Sequence, residues 1–144
     1  MFLGAYEHTL DDKSRLTLPA KYRGRFADGL VLTRGMDGCL NAYTREEFGR
    51  VVESWRSRLD PLSRGGRIMQ RFYSSAAAEA VPDKQGRVIV PQALATSAGL
   101  EREIVIAGVL DHLEIWDRAS WREHLKDVEG GAEDAAERLA AQHD

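Results

Sequence analysis

The chain has 144 residues, 43% of them hydrophobic, and a formal net charge of −3. This is enough for one compact domain with its own core, or for two small halves that share a core. A single cysteine cannot form an intramolecular disulfide, and no apolar run approaches the roughly 20 residues that span a bilayer, which excludes a cross-linked secreted scaffold and a membrane-embedded protein. We therefore expect a cytoplasmic protein without a membrane partner.

An internal repeat organises the predicted elements. Residues 11–19 align with residues 83–91 at an offset of 72, and both segments read Asp, three residues, Arg, three residues, Pro. In each copy a strand precedes the aspartate, a polar turn follows it, and a second strand runs into the proline, which begins a short helix. Two further strands follow. After the first strand of each copy, the predicted elements are Leu16–Leu18, Ala20–Arg23, Leu30–Thr33 and Leu40–Tyr43 in the first copy, and Val88–Val90, Gln92–Ala98, Glu103–Ala107 and Leu113–Trp116 in the second.

Two helices are predicted between the copies. Thr44 and Glu47 form a capping box for an amphipathic helix over Arg45–Leu59, whose aromatic residues follow helical spacing. A second helical stretch over Leu62–Tyr73 is weakened by its glycine pair, Gly65-Gly66. The aromatic stripes indicate core or subunit contacts rather than a base-stacking platform.

The second copy is also followed by helices. Asp117 caps a helix, and Gly130-Gly131 separates it from an alanine-rich terminal helix that ends near Gln142. Residues 101–144 carry 12 acidic and 5 basic side chains, whereas residues 1–100 carry 11 acidic and 15 basic ones. The basic first part permits binding to nucleic acid without requiring it, and the acidic part is typical of a solvated helix face.

Each copy therefore reads β-β-α-β-β. So small a half leaves strand edges unpaired and buries little surface, and two halves interleaved in one closed barrel remove both problems. We predict a mainly β protein with helices (α+β) and internal pseudo-twofold symmetry. Residues 1–73 would form the first half with the linking helices, and residues 74–144 the second half with the C-terminal helices, in one compact domain.

Several motifs together resemble the MraZ family: Met1-Phe2 and Gly4, the two Asp-x-x-x-Arg motifs, and Leu40-x-x-Tyr43 before a capped helix. The resemblance covers nearly the whole chain. It implies an AbrB-like, swapped-hairpin fold whose halves form a double-psi β-barrel. It also implies a sequence-specific repressor or regulator at the promoter of the division and cell-wall gene cluster. Such a protein would be a nucleoid-associated, ring-shaped homo-oligomer that reads short G-rich direct repeats in double-stranded DNA, one repeat per engaged subunit.

The resemblance places Arg15 on an exposed hairpin beside Lys13. Arginine is the preferred reader of guanine because its planar fork donates two hydrogen bonds to O6 and N7. Lys21, Arg23 and Arg25 follow shortly after the proline, so one edge of the first half is expected to be basic. We expect Arg15 to contact DNA and the other cations to grip phosphates, with ordinary solvated surface as the alternative for Lys21, Arg23 and Arg25.

A structural interpretation of the two arginines stays open. Asp11 with Arg15, and Asp83 with Arg87, could close their own turns by salt bridges. The second copy has no basic cluster after Pro91, so Arg87 is the more structural candidate, although DNA contact remains possible for it as well.

The two motifs differ at one turn position. Gly86 of the second motif corresponds to Ser14 of the first. If this position needs a positive φ, serine carries a cost of about 1 kcal/mol there.

Two other classes of protein compete with a regulator. An enzyme is disfavoured, because the chain has no phosphate-cradling glycine loop, no nucleophile elbow and no carboxylate or His/Cys constellation. We expect no cofactor and no small-molecule substrate, and no metal site either, since the histidines lack ligand spacing. An antitoxin-like or protein-binding module of the AbrB-like group is the second competitor, but such proteins usually have one barrel half, and the duplication here favours MraZ. The histidines are His8, His112, His124 and His143.

Overall fold

The structure is a computed structural model that describes residues 1–143. Asp144, the last residue of the predicted second half, lies outside the described residues. The mixed α+β class is confirmed. The elements are β1 (Ala5–Thr9), β2 (Arg15–Thr17), a 3-10 helix (Ala20–Phe26), β3 (Leu30–Arg34), a 3-10 turn (Met36–Gly38), β4 (Leu40–Thr44), α1 (Arg45–Arg58), α2 (Arg64–Ser74), β5 (Ala78–Ala80), β6 (Arg87–Ile89), α3 (Gln92–Ser97), β7 (Glu103–Val109), β8 (His112–Asp117) and α4 (Arg118–His143).

The strands pair across the two halves. Six form an antiparallel sheet in the order β1-β7-β8-β4-β3-β5, and the other two form the β2–β6 ribbon. Exchanging each first-half strand for its second-half counterpart reverses this order and leaves it otherwise unchanged. The predicted pseudo-twofold, interleaved arrangement is therefore confirmed. The ladders divide into a sheet and a ribbon, so closure into one barrel stays an implication of the family resemblance.

One face of each strand layer is buried in a common core. In the ribbon, Leu16 and Val88 are at most 2% exposed, as are Leu18 and Val90 just after it. They pack with the inward residues of the six-stranded sheet in one cluster. Because side chains alternate along a strand, burial of Leu16 and Val88 turns their neighbours in β2 and β6 toward solvent.

Gly66 lies in the first turn of α2, close to the backbone of the preceding loop. The helix starts at Arg64 rather than Leu62, because Ser63 caps it by accepting a hydrogen bond from the backbone N–H of Gly66 (2.9 Å). A Cβ at Gly66 would lie 2.0 Å from the carbonyl oxygen of Asp60. Only glycine fits at this close approach of two backbone segments.

The predicted break at Gly130-Gly131 is wrong, because α4 runs without interruption from Arg118 to His143. Two glycines cost a helix about 2 kcal/mol relative to alanine, but a 26-residue helix of good helix formers propagates through them. An Arg138–Asp134 ion pair (2.7 Å) adds support four residues apart. No helix within residues 1–143 has the length and apolarity needed to cross a bilayer.

Candidate nucleic-acid interface

The β2–β6 ribbon carries both motif arginines on one face. The strands are antiparallel, with Arg15 opposite Ile89, Leu16 opposite Val88 and Thr17 opposite Arg87. Leu16 and Val88, at the centre, are equivalent positions of the two copies, so the pseudo-twofold axis passes between them. The remaining four residues form the outward face of the ribbon, which we call the ribbon face: Arg15, Thr17, Arg87 and Ile89.

The first motif forms a closed turn around Asp11. One carboxylate oxygen accepts hydrogen bonds from the backbone N–H groups of Lys13 (2.9 Å) and Arg15 (3.0 Å), and the other accepts from Nε of Arg15 (2.7 Å). The backbone N–H of Arg15, followed by its side chain and the N–H of Lys13, holds the pKa of Asp11 at about 2. Asp11 is therefore ionised at neutral pH and orients the guanidinium of Arg15.

The second motif repeats this geometry. Asp83 accepts from the backbone N–H groups of Gln85 and Arg87, both at 2.9 Å, and from Nε of Arg87 at 2.7 Å. Its pKa is lowered, chiefly by the backbone N–H of Arg87. The two motifs thus present two guanidinium groups held in the same way.

Both motif arginines therefore form the salt bridges considered above. These salt bridges use only part of each guanidinium group, so a DNA contact by the remaining part is compatible with them. Each aspartate engages Nε, and the Nη groups of Arg15 and Arg87 make no hydrogen bond within residues 1–143. The side chains are 23% and 32% exposed, respectively. Each pair of Nη groups is available for a bidentate contact with an acceptor outside the chain.

Each turn is anchored by the other copy. The backbone N–H of Leu18 donates to the carbonyl of Gly86, and the backbone N–H of Val90 donates to the carbonyl of Ser14, both at 2.9 Å. These equivalent bonds lie at the two ends of the ribbon. Each turn is therefore joined to the strand of the other copy by one backbone hydrogen bond, in addition to the bonds within its own motif.

The turn position that differs between the motifs has a positive φ in both: +57° at Ser14 and +76° at Gly86. A Cβ at Gly86 would lie 2.5 Å from Nε and 2.6 Å from Cδ of Arg23, which covers this turn. The position equivalent to Arg23 in the second copy is Ala95, which lines an open cavity of about 270 Å³ with Ser14. The first turn has room for a side chain, and the second does not.

Arg23 therefore lies against the second turn, although the sequence places it in the first half. Its Nε donates to the carbonyl of Leu18 (3.1 Å). Burial, followed by the positive charges of Arg23 and Arg118, lowers the pKa of His8, so this histidine is neutral at pH 7. With Arg87 and the exposed Lys84, the second turn is as well supplied with cations as the first. We expected Arg87 to be the more structural candidate because no basic cluster follows Pro91 in the sequence. The order of residues along the chain does not show that Arg23 of the first copy lies against the second turn.

The other predicted phosphate contacts are positioned in different ways. Lys13 is exposed in the first turn. Lys21 is held between two aromatic rings, with its Nζ 5.0 Å from the ring centre of Tyr6 and 4.9 Å from that of Tyr22. The guanidinium of Arg25 lies 3.9 Å from the ring centre of Phe2. These cation–π contacts position the charges of Lys21 and Arg25 without neutralising them.

Sequence reasoning missed two members of this surface. Lys84 stands in the second turn, and Ile89 faces solvent opposite Arg15 with 63% of its surface exposed. The repeat could have pointed to Ile89. Its offset of 72 residues aligns Arg87 with Arg15 and Ile89 with Thr17, so Ile89 and Thr17 hold equivalent positions in the two motifs. The pairing of β2 with β6, which places all four on one face, is a tertiary feature.

The rest of the chain offers little to bind a metal or support nucleophilic chemistry. Within residues 1–143, no three His, Cys, Asp or Glu side chains are grouped as metal ligands. Cys39 is buried, and burial, followed by the charges of Glu114 and Asp37, raises the pKa of its thiol. A thiol in this environment is a poor nucleophile.

The chain is similar to known proteins over nearly its whole length. A family model described as "MraZ protein, putative antitoxin-like" matches residues 1–63 and 74–142. A Kocuria rhizophila protein named "Transcriptional regulator MraZ" is 47% identical over 140 residues, 96% of each chain. Proteins of the same name from Micrococcus luteus and Ligilactobacillus salivarius are 49% identical over 130 residues (90% of each chain) and 42% identical over 139 residues (96% of each chain).

Proposed function

The chain belongs to the MraZ family, and its relatives are named transcriptional regulators. On that premise we propose that it is a sequence-specific DNA-binding transcriptional regulator. It acts without catalysis, cofactor or small-molecule substrate. Its ligand is double-stranded DNA, and the β2–β6 ribbon enters the major groove. The observation that carries this proposal is the pair of identically held arginines on the ribbon face.

The dimensions of the ribbon suit the groove. The major groove of B-DNA is about 12 Å wide and admits a two-stranded β-ribbon. Arg15 and Arg87 are diagonal neighbours across the two strands, a separation of about 7–8 Å, and successive base pairs rise about 3.4 Å. Two guanidinium groups can therefore address bases about two pairs apart.

The contacts of the motif aspartates favour recognition of particular bases over nonspecific electrostatic attraction to DNA. Asp11 and Asp83 fix each guanidinium through Nε and so limit the side-chain freedom that is lost on binding. The Nη groups of Arg15 then donate to O6 and N7 of a guanine, with Arg87 as the second candidate reader. Lys13, Lys21, Arg23 and Arg25 contact phosphates and set the orientation.

We further propose that the chain works as a ring of identical subunits. No residue of α1 is fully buried, although the helix carries an apolar face. The half-buried members of that face are Phe48, Val51, Val52, Trp55 and Leu59. A heterologous contact through this face that closes on itself leaves no open end. Static light scattering that found only monomer at micromolar concentration would contradict the ring.

A ring with one ribbon per subunit suits short G-rich direct repeats, one repeat per engaged subunit. The target we propose is the promoter of the division and cell-wall gene cluster, where the protein represses or regulates transcription as a nucleoid-associated protein of the cytoplasm. When several subunits of one ring bind several repeats, each protein–DNA contact is made more than once and contributes repeatedly to the affinity.

The proposal is tested by fluorescence anisotropy on labelled DNA from upstream of the coding sequence, with random DNA for comparison. Replacing Arg15 with alanine should weaken binding to the upstream DNA by about 1–3 kcal/mol per engaged site and reduce its preference over random DNA. Replacing Lys21 with alanine should weaken binding to both DNAs alike and flatten the salt dependence, because phosphate contacts act through counterion release.

Fold and assembly are the controls for this experiment. Arg15→Ala removes the Asp11–Arg15 ion pair, so its melting temperature and particle size must match those of the wild type before binding is interpreted. Arg15→Lys keeps the charge and loses the planar fork, and we expect it to lose specificity as the alanine variant does. Wild-type affinity in an intact Arg15→Ala ring would assign the reading to another residue.

The alternative of an antitoxin-like or protein-binding module draws on the wording of the family description and on α4. The second part of that helix, from Lys126 to Gln142, is almost entirely exposed and carries five acidic and two basic side chains. A module of this kind would be a small dimer that binds a protein and not DNA. Gel filtration followed by the same anisotropy measurement separates the two functions.

A further inference from the structure

One apolar side chain lies where charged and polar residues are expected. Ile89 is 63% exposed on the ribbon face, as the cross-strand partner of Arg15. Single exposed apolar residues are common on protein surfaces. This one stands on the surface that carries the two arginines, opposite the residue that we assign to guanine.

The two copies differ at this position. Ile89 is equivalent to Thr17, so the ribbon face pairs Arg15 with Ile89 at one end and Thr17 with Arg87 at the other. The two arginines occupy positions related by the pseudo-twofold axis, but the residues opposite them, Ile89 and Thr17, differ. A symmetric face would read a sequence equally well in both directions, whereas this face has a direction.

We propose that Ile89 contacts the C5-methyl group of a thymine next to the guanine read by Arg15, and that the Ile89/Thr17 difference sets the direction in which the ribbon reads DNA. This inference rests on the proposed function. In the major groove the thymine methyl is the one apolar feature of a base edge, and apolar side chains recognise it. Directly opposed side chains on a ribbon are about 4.5–5.5 Å apart, so the thymine lies within one or two base pairs of that guanine.

The contact is measured by removing the methyl group from the DNA and the apolar side chain from the protein. A duplex of the upstream DNA is prepared in which each thymine in turn is replaced by deoxyuridine, which lacks only the methyl group. Dissociation constants are measured for the wild type and for Ile89→Ala. Leu139→Ala is the matched control, because Leu139 is a similarly exposed (56%) apolar residue far along α4.

For the wild type, we expect deoxyuridine to weaken binding about three- to fourfold per engaged subunit at one position close to the guanine identified with Arg15→Ala, which corresponds to burial of one methyl group. Ile89→Ala should be weaker on thymine DNA and insensitive to deoxyuridine at that position, while Leu139→Ala behaves as the wild type. Exchanging the two residues, by Ile89→Thr with Thr17→Ile, should move the sensitive position to the other side of the recognised guanines. The melting temperatures should stay unchanged, since both positions are on the outer face of the ribbon.

Two results would overturn the inference while leaving the proposed function intact: a wild type that binds the upstream DNA but tolerates every deoxyuridine, or an Ile89→Ala variant that keeps the full wild-type sensitivity. Absence of specific DNA binding by the wild type would instead overturn both. An unmoved sensitive position in the exchanged variant would refute the assignment of direction.

Discussion

Replacing Gly86 with serine would give the second motif the residue found in the first. The structure predicts that the two turns respond differently. At φ +76° a non-glycine residue costs about 1 kcal/mol. The new Cβ would also displace Arg23, which would lose its hydrogen bond to the carbonyl of Leu18, worth about 1 kcal/mol. Gly86→Ser should therefore lower the free energy of unfolding by about 2 kcal/mol.

The reverse change in the first motif should behave otherwise. Ser14→Gly relieves a backbone at φ +57°, and the greater freedom of glycine in the unfolded chain offsets this gain. The position equivalent to Arg23 is Ala95, and the cavity that it lines with Ser14 is open. We expect a change within about 0.5 kcal/mol of zero, the range of surface substitutions.

A double-mutant cycle isolates the contribution of Arg23. In an Arg23→Ala background, Gly86→Ser should cost only the backbone part, about 1 kcal/mol, so the coupling between the two changes should be about 1 kcal/mol. Denaturant titration at one fixed protein concentration measures all four proteins, and the concentration must be held because assembly adds to apparent stability. The Gly86→Ser loss corresponds to a drop in melting temperature of about 4–8 °C for a chain of this size. Equal costs of Gly86→Ser with and without Arg23 would refute the reasoning.

Two other changes test the ion pairs of His112 and the long helix. Burial opposes protonation of His112, but the carboxylates of Glu114 and Asp111 outweigh it and raise its pKa. The stability that they contribute is full below pH about 6.5 and is lost as the pH rises through the higher folded value. His112→Gln should therefore cost more stability at pH 6 than at pH 9 in denaturant titrations, and equal costs would contradict this. A Cβ at Gly130 or Gly131 meets nothing within 4 Å, so alanine at both should stabilise α4 by roughly 0.5–1 kcal/mol each in thermal unfolding. The circular dichroism signal at 222 nm should stay nearly the same, because both residues are already helical. A clear increase in that signal would indicate that the wild-type helix is interrupted there in solution.

Local patterns predicted most of the elements correctly. The Asp-x-x-x-Arg-x-x-x-Pro repeat identified both motifs, and the capping box placed the start of α1, because such features depend on residues close together in the chain. The predicted break at Gly130-Gly131 was an error, because this pair is tolerated inside a long helix. The sequence also did not reveal that Gly66 lies at a close approach of two backbone segments.

The sequence by itself determined the duplication, the α+β class, the family and the two motif arginines, because each follows from residue type and spacing. The residues that lie beside the motifs across the ribbon depended on tertiary structure. Only the antiparallel pairing of β2 with β6 places Ile89 beside Arg15, and only the interleaving of the halves lays Arg23 over Gly86. Both contacts join residues more than sixty positions apart. Contacts across such a separation form through the packing of whole halves around one core, which local propensity and spacing do not encode.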